Sequence, residues 1–403
     1  MALRVLADTA PRVRHGVLEF PVHHMRGGTS TGVVIWEPHA PTDVALREEL
    51  LRHLMGVPLS GRDPTNRQTT GLGRGPATSN KAFFVRTEPA GDGVRLVSTL
   101  GQLASDHDGV DWAVGCGNMS AALPLWALDV GLIPWPAGTA TIDIRNTNTG
   151  GVLTARVAGD GAGGLAVAEI PGVAGAFPAV DLFLHSPVGA KTGQLLPTGA
   201  ATDVVAGTTV SCVDVAVPMV IARAADFGKT ALEPVAELAS DAPFLARLRE
   251  IWVGAGLLMG LRRRDGQPMT AADLAVSETV PKVCIVGPPA GDGHIAVRYF
   301  TPQTVHGSMA VSGGCCLAAA TLIPGTVAHA VARGVAAPGA AFTDVDVAIE
   351  NPAGVLGTTI VARNTGAGPE IRSAAYRRSA QVLVQGYVPL YRASAALRAA
   401  LAP

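Results

Sequence analysis

Three short segments of this chain contain residue types suited to acid–base chemistry and to binding a carboxylate. The first, HMRGGTSTGVVIW from His24 to Trp36, joins two expected strands through a glycine turn lined with hydroxyls. Glycines let backbone N–H groups approach a ligand closely, hydroxyls donate hydrogen bonds, and a guanidinium pairs with a carboxylate. The candidate residues in this loop are Arg26, Gly27, Gly28, Thr29, Ser30 and Thr31. The same composition is also typical of an ordinary hairpin turn.

The second segment, CGNMS, begins at Cys116 and opens an apolar helix pattern. The first N–H groups of a helix lack partners within the helix, and the helix dipole attracts anions. A cysteine at this position can therefore supply a thiol or thiolate for proton transfer, with Gly117, Asn118 and Met119 beside it. The alternative is that Cys116 is a small buried apolar residue.

The third segment is the loop GLGRGPATSN, which ends at Lys81, the first residue of the strand pattern KAFFV. Only four of the 31 basic residues are lysines, so a lysine here is unusual for this chain. Partial burial beside Ser79 and Asn80 would make the amine a useful base. A lysine at the start of a strand can equally be solvated, and codon usage can also explain the scarcity of lysine.

The composition indicates a well-packed protein with many turns. The chain is 48% hydrophobic and 16% charged, which excludes disorder as its global state. A net charge of -1 with scattered arginines argues against binding to nucleic acid or to an anionic membrane. No signal peptide or membrane span is expected. The five cysteines have no zinc spacing, so we expect no metal and a reduced, cytoplasmic location. Two of them, Cys212 and Cys284, lie in apolar strands and are expected in the core.

Hydrophobic periodicity predicts strands and helices in both halves of the chain. The predicted strands are Leu18–His23, Gly32–Trp36, Lys81–Thr87, Val94–Leu100, Gly138–Asn146, Gly151–Val157, Thr209–Val215, Lys282–Val286 and His294–Phe300. The predicted helices are Ala45–Met55, Met119–Val130, Phe244–Leu261 and Cys316–Ala320. A length of 403 residues favours two domains.

The two halves also resemble each other. AVGCGNMSAAL surrounds Cys116 and AVSGGCCLAAA surrounds Ser312, and each is a small-residue turn that opens an alanine-rich helix. We therefore expect two related domains, each with a buried helix, that face one another across a cleft. Cys315 and Cys316 are adjacent, so at most one of them is expected to face that cleft.

In the order of its motifs the chain resembles the cofactor-independent isomerase family of 2-methylaconitate cis-trans isomerase, 3-methylitaconate Δ-isomerase and 4-oxalomesaconate tautomerase. The resemblance runs nearly end to end. It rests on RGGTSTG at 26–32, the loop ending at Lys81, CGNMS at 116–120, NTNTG at 146–150, PGVAG at 171–175, LLPTG at 195–199, VDVAVP at 213–218, PKV at 281–283 and the turn at 312–316. Each motif is weak alone, but their shared order is specific.

The resemblance implies an α+β, diaminopimelate-epimerase-like fold with two pseudo-symmetric domains, each a β-barrel-like sheet around a central helix. The N-terminal domain would span residues 1–190 and the C-terminal domain 191–385, and the segment 386–403 could return to the first domain. The active site would lie between the domains and use no coenzyme or metal. The expected partner is a small-molecule carboxylate substrate, and a homodimer is one option for the assembly.

The activity implied by the resemblance is an allylic 1,3-proton shift or a cis-trans isomerisation of an unsaturated di- or tricarboxylate or a related oxo acid. A base would remove a proton made acidic by conjugation, giving a dienolate, and an acid would return a proton two carbons away. Lys81 and Cys116 match the family's acid–base residues. The expected substrate-binding residues are Arg26, Gly27, Gly28, Thr29, Ser30, Thr31, Ser79, Asn80, Gly117, Asn118, Met119, Ser312, Gly313, Gly314 and Cys315.

Five residues depart from the family pattern. Thr31 replaces a lysine of the loop RGGTSKG, Gly115 replaces an asparagine before Cys116, and Ser79-Asn80 replaces Thr-Ser. Asn351 replaces a histidine before a turn. These changes leave the acid–base pair but alter its surroundings, so the substrate is expected to differ from the named tricarboxylates.

Two other functions stay open at this point. Racemisation or epimerisation of an amino acid would require two opposed bases, such as Cys116 with Cys315 or Cys316, and would leave Lys81 without a role. A non-catalytic accessory protein could use the same loops to hold an organic acid. Proton exchange in deuterated water discriminates the three, because it would occur at the allylic carbon, at the α-carbon, or not at all.

Overall fold

The computed structural model describes residues 10–75, 79–91, 93–112, 115–263, 265–366 and 368–402. The strands are β1 (Arg12–Arg14), β2 (Val17–Gly27), β3 (Ser30–Trp36), β4 (Lys81–Ala90), β5 (Gly93–Leu103), β6 (Val110–Asp111), β7 (Thr139–Asn146), β8 (Val152–Ala158), β9 (Val167–Ile170), β10 (Val173–His185), β11 (Asp203–Val205), β12 (Thr208–Val215), β13 (Val217–Arg223), β14 (Lys282–Gly287), β15 (Ile295–Thr301), β16 (Thr304–Val305), β17 (Thr343–Asn351), β18 (Gly354–Asn364) and β19 (Pro369–Pro389). The helices are α1 (Val44–Met55), α2 (Gly117–Ser120), α3 (Ala122–Asp129), α4 (Val235–Ser240), α5 (Ala242–Leu258), α6 (Ala271–Val276), α7 (Val311–Thr321), α8 (Val327–Val331) and α9 (Ala395–Ala400).

The chain divides into two compact units, and each is described by itself. The first comprises the chain up to Glu169, Val173–Leu182, and the chain from Arg378 to its end. The second comprises Ile170–Gly172 and Phe183–Arg377. The domain boundaries predicted at residues 190 and 385 each lie eight residues from these divisions. The assignment of functional domains stays a prediction.

The first unit is built around the hairpin of β2 and β3. β3 runs parallel to β4, β4 pairs antiparallel with β5, and β5 runs parallel to β7. One face packs on α1 and on the C-terminal helix α9 through an apolar core that includes Phe20, Ile35 and Leu397. The other face meets α2 and α3, where Trp126 is buried. The first seven residues of α3, Ala122 to Leu128, are apolar and buried, which is typical of a helix in the interior of a domain.

The second unit repeats this order of pairings. β12 and β13 form a hairpin, β13 runs parallel to β14, β14 pairs antiparallel with β15, and β15 runs parallel to β17. Phe244 and Trp252 of α5 contribute to the core on one face. On the other face α7, buried from Gly313 to Thr321, packs against β12, β13 and β18. Each unit is thus a set of strands around a buried apolar helix.

Most of the predicted elements are confirmed with small changes at their ends. The helix predicted at Met119–Val130 is the pair α2 and α3, and the one predicted at Cys316–Ala320 is the longer α7. The sequence analysis did not assign β10, β13 or the long strands β17, β18 and β19. Cys212 and Cys284 are fully buried, as predicted. Within the described ranges, no helix is both long and apolar enough to cross a membrane.

Candidate active site

Lys81, Cys116 and Ser30 meet within the first unit. The Lys81 ammonium donates to the Cys116 sulfur, with 3.2 Å between Nζ and Sγ, and to the Ser30 hydroxyl, with 3.3 Å between Nζ and Oγ. The Ser30 Oγ and the Cys116 Sγ are 3.9 Å apart. Lys81 is 5% exposed, while Cys116 is partly exposed. The three groups therefore form a contiguous path along which a proton can move.

The strand register brings Ser30 to Lys81. In the parallel pair of β3 and β4, Gly32 lies opposite Lys81, and Ser30 lies two residues earlier on the same face. A Cβ at Gly32 would overlap the backbone of Lys81, so this position requires glycine. The lysine is the first residue of its strand and points toward the face covered by α2 and α3 rather than to solvent.

Cys116 is the N-cap residue of α2. Its sulfur accepts the backbone N–H of Met119, with 3.3 Å between N and Sγ. The Ser120 hydroxyl donates to the Cys116 carbonyl at 2.9 Å and fixes the turn. The Cys116 sulfur is thus held by the backbone of the turn on one side and by the Lys81 side chain on the other.

The two glycines of the hairpin allow it to pack closely on α2. A Cβ at Gly27 would stand 2.6 Å from the carbonyl oxygen of Asn118. Gly28 has a φ of 54°, and its N–H donates to the Ser379 carbonyl at 2.9 Å. The Asn118 side chain donates to the Thr29 hydroxyl at 3.1 Å and accepts from Arg378 Nε at 2.8 Å. These glycines therefore shape the wall beside Cys116.

Arg26 and Thr31 lie opposite each other in the hairpin, on the face of the sheet away from Ser30. The structure therefore does not bring them to Lys81 and Cys116, and their predicted contact with substrate stays a prediction. Arg26 Nη1 donates to the carbonyls of Gly28, at 2.9 Å, and Ser379, at 3.0 Å, and the guanidinium lies 4.6 Å from the Phe177 ring centroid. Burial lowers the pKa of Arg26.

The polar interior next to Arg26 includes His24, which is 4% exposed. Burial lowers the pKa of His24 to about 4, and the charge of Arg74 adds to the shift. Within the described residues, His24 Nε2, the Thr31 hydroxyl and two nitrogens of Arg26 have no hydrogen-bond partner. These groups lie along one face of the same hairpin.

Asn80 bonds within its own loop, and its predicted contact with substrate stays a prediction. Its side chain is fully buried and bonds to Gln68 through both amide atoms, at 2.8 and 3.2 Å, and to the backbone at Arg74 and Gly75. The amide therefore holds the loop in front of Lys81. Ser79 is half-buried beside it. Residues 76–78 of this loop lie outside the described part of the chain.

The other predicted binding residues lie in the second unit, in the first turns of α7. Ser312 is half-buried, and Gly313, Gly314 and Cys315 are buried. Gly313 packs against the ring of Tyr299, which leaves no room for a Cβ. Cys316 is also fully buried; its thiol donates to the Val213 carbonyl, and burial raises its pKa. In the described residues no group of three or more His, Cys, Asp or Glu side chains is arranged to hold a metal.

The chain is similar to a family of known proteins along most of its length. A family description, PrpF protein, matches residues 17–391. The chain belongs to the PrpF protein family. It is 33% identical to the (4E)-oxalomesaconate Delta-isomerase of Novosphingobium sp. strain KA1 over 94% of this chain and 99% of that protein. It is 30% identical to the 4-oxalomesaconate tautomerase of Pseudomonas putida, over 88% and 99% of the two chains.

A solved structure agrees with this membership. The crystal structure of a methylitaconate-delta-isomerase superposes with a TM-score of 0.77 at 27% identity, covering 96% of this chain and 97% of that one. The predicted α+β, diaminopimelate-epimerase-like fold and the assignment of this PrpF protein to the isomerases are thereby confirmed.

Sequence reasoning missed several residues around the site. Ser379, Arg378 and Phe177 come from distant strands, and Gln68 supports the loop before Lys81. Gln68 alone had a usable signal, because it is a polar residue at the start of the glycine-rich loop. The other three depend on pairings that no local pattern encodes.

Proposed function

We propose that this PrpF isomerase shifts a proton across an allylic system of an unsaturated di- or tricarboxylate or a related oxo acid, with Lys81 and Cys116 as its acid–base pair. The observation that carries the proposal is the 3.2 Å contact between Lys81 Nζ and Cys116 Sγ. Each group that exchanges a proton with carbon must lie within reach of the reacting atoms, and this contact brings an amine and a thiol to the same place. The relatives named above act on unsaturated carboxylates, which fits this chemistry.

The reaction balances with these two groups alone. One of them takes the proton from the carbon next to the conjugated alkene, and the electron pair spreads into a dienolate. The other returns a proton to the carbon two positions away, so the double bond moves and no redox change occurs. After release of product the group that acted as base carries the proton, and the group that acted as acid has lost its own. The Nζ–Sγ contact lets that proton pass directly between nitrogen and sulfur and restores the starting state.

Ser30 and the backbone of the Cys116 turn position the pair. The Ser30 hydroxyl accepts a hydrogen bond from Lys81 Nζ, and this bond helps to hold the amine beside the Cys116 sulfur. The N–H of Met119 donates to the same sulfur, so a negative charge formed there is stabilised while carbon gives up or regains its proton. The pair needs a free thiol, which fits the reduced, cytoplasmic location expected from the sequence.

The racemase alternative has weaker support. A two-thiol mechanism would require an accessible second cysteine, but Cys315 and Cys316 are both 0% exposed. The partner of Cys116 within its own unit is an amine instead. The homodimer expected as one option from the sequence stays a prediction.

Variants of the pair test the proposal. Lys81→Met and Cys116→Ser should each lower turnover of an active unsaturated acid by about two orders of magnitude or more, because each removes a positioned acid or base. Thermal unfolding should stay near that of wild type. Lys191→Met removes an exposed lysine and serves as the control. Full activity in either Lys81→Met or Cys116→Ser would reject the assignment.

A further inference from the structure

Arg378 reaches the turn of Cys116 from a strand near the other end of the chain. In the pairing of β19 with β2, Ala380 lies opposite Gly27, so Arg378 lies beyond the end of this pairing, beside the loop of the hairpin. Its side chain is buried, and its Nε donates to Asn118 Oδ1 with 2.8 Å between the two atoms. A guanidinium from β19 is therefore bonded directly to the second residue of α2.

This bond fixes the orientation of the Asn118 amide. A guanidinium has donors and no acceptor, so the amide atom that faces Arg378 must be the oxygen. The amide nitrogen then donates to the Thr29 hydroxyl, with 3.1 Å between Nδ2 and Oγ1. The three side chains thus form a chain of hydrogen bonds that runs from β19 through α2 to the loop between β2 and β3.

The bond to Asn118 is important because Cys116 and Lys81 belong to different elements. Strand register places Lys81 beside Ser30, whereas Cys116 lies on a turn that packs against the sheet. α2 is a single turn of four residues, and Asn118 precedes Met119, whose N–H contacts the Cys116 sulfur. The position of the sulfur relative to the amine therefore depends on how this turn is held against the hairpin.

The hairpin packs closely on the turn that contains Asn118. A Cβ at Gly28 would stand 2.5 Å from Asn118 Oδ1, the atom that accepts from Arg378. A Cβ at Gly27 would stand 2.9 Å from the Met119 carbonyl oxygen in the same turn. The turn is therefore in close contact with the hairpin, and the guanidinium of Arg378 adds a bond that helps to hold it there.

We propose that Arg378 is a positioning residue, which acts through Asn118 to hold the Cys116 sulfur within reach of the Lys81 amine. The purpose of this distance, proton transfer, rests on the proposed function. A residue that acts through Asn118 affects the geometry of the pair with or without substrate, in contrast to a substrate-binding residue. Arg378 is also dispensable in a variant that already lacks the Asn118 side chain.

The geometry of the pair can be measured without substrate. o-Phthalaldehyde condenses with an amine and a thiol to a fluorescent isoindole when the two groups lie side by side. The other four cysteines are fully buried, so the signal of the native full chain reports on Cys116. Wild type should form the isoindole, and Lys81→Met and Cys116→Ser should not. Arg378→Met should form it about ten-fold more slowly than wild type, because the two groups are no longer held together.

Kinetics on an active unsaturated acid separate positioning from binding. Arg378→Met should lower kcat by about ten-fold to a hundred-fold and leave KM within about two-fold of wild type, because misplacement of an acid–base pair slows the chemical step. Asn118→Ala should have a similar effect, and the double variant should be no slower than Asn118→Ala alone. Arg378→Lys keeps a donor within reach of Asn118 Oδ1 and should recover most of kcat and most of the isoindole rate.

Arg377→Met is the matched control. Arg377 is the exposed neighbour of Arg378 and points to the opposite face of β19, so its loss should change neither the isoindole rate nor kcat. A folded Arg378→Met or Arg378→Gln variant that keeps the wild-type isoindole rate would overturn the proposal, and so would losses of kcat that add in the double variant.

The isoindole also distinguishes failure of this proposal from failure of the proposed function. Absence of the isoindole from wild type would contradict the contact between Lys81 and Cys116 on which both depend. A wild type that forms the isoindole but exchanges no allylic hydrogen would reject the proposed function alone, because the isoindole rates of the Arg378 variants would still measure what holds the sulfur beside the amine.

Discussion

The buried His24 should make the stability of the protein depend on pH above the range in which carboxylates titrate. An ordinary histidine has a pKa of 6.5, and burial lowers that of His24 to about 4. Between these values the unfolded chain binds the proton and the folded chain does not, so the free energy of unfolding rises with pH. The contribution is fully present above pH 6.5 and is lost as the pH falls toward 4. Between pH 7 and pH 5 it amounts to about 2 kcal/mol.

Urea unfolding at pH 7, 6 and 5 measures this effect. Other histidines, His23, His39, His53 and His306, are shifted in the same direction, so wild type must be compared with His24→Gln. The variant has no titrating group at this position and should show a free energy of unfolding that falls by about 2 kcal/mol less than that of wild type from pH 7 to pH 5. The reasoning is refuted if the two proteins lose the same stability over this range.

Three other perturbations have defined outcomes. Thr31→Lys would place a second cation beside Arg26 in a buried setting, so the free energy of unfolding measured with denaturant should fall by about 2 kcal/mol or more. The ratio of kcat/KM for tricarboxylates to that for dicarboxylates should not rise. A rise in this ratio would show that this position meets substrate. Gly28→Ala should lower both Tm and turnover, because a Cβ at this position overlaps the Asn118 side chain. Gly16→Ala is the control, because Gly16 also has a positive φ but a Cβ there would contact no other atom. It should lower Tm and turnover less than Gly28→Ala does. Activity should survive exhaustive chelation; loss of activity that a single metal restores would contradict a pathway through Lys81 and Cys116 alone.

Local patterns predicted most of the elements that position the site. Alternating apolar residues gave β2, β3 and β4, and the small-residue turn at Cys116 gave the start of a buried helix. The family resemblance predicted that Lys81 and Cys116 act as a pair, which local sequence patterns could not predict. The structure adds the distance between them, since strand register and the N-cap geometry of α2 are tertiary properties.

Two features of the site were beyond sequence reasoning. Ser379 contacts Arg26 across 353 positions of the chain, and Arg378 contacts Asn118 across 260, through pairing of the long strand β19 with β2. The other feature is the face on which each hairpin residue lies. Ser30 and Thr31 are adjacent hydroxyl residues, and the register alone decides that Ser30 meets Lys81 while Thr31 points away.

The most direct test of the Lys81 and Cys116 pair is exchange of the allylic hydrogen in deuterated water, followed by proton NMR on a panel of unsaturated di- and tricarboxylates. Wild type should incorporate deuterium at the allylic carbon of at least one acid, and the rate should fall by about two orders of magnitude in both Lys81→Met and Cys116→Ser. Exchange at the α-carbon of an amino acid would indicate a racemase, and no exchange on any acid would indicate a binding protein. Allylic exchange that continues at the wild-type rate in either variant would contradict the account.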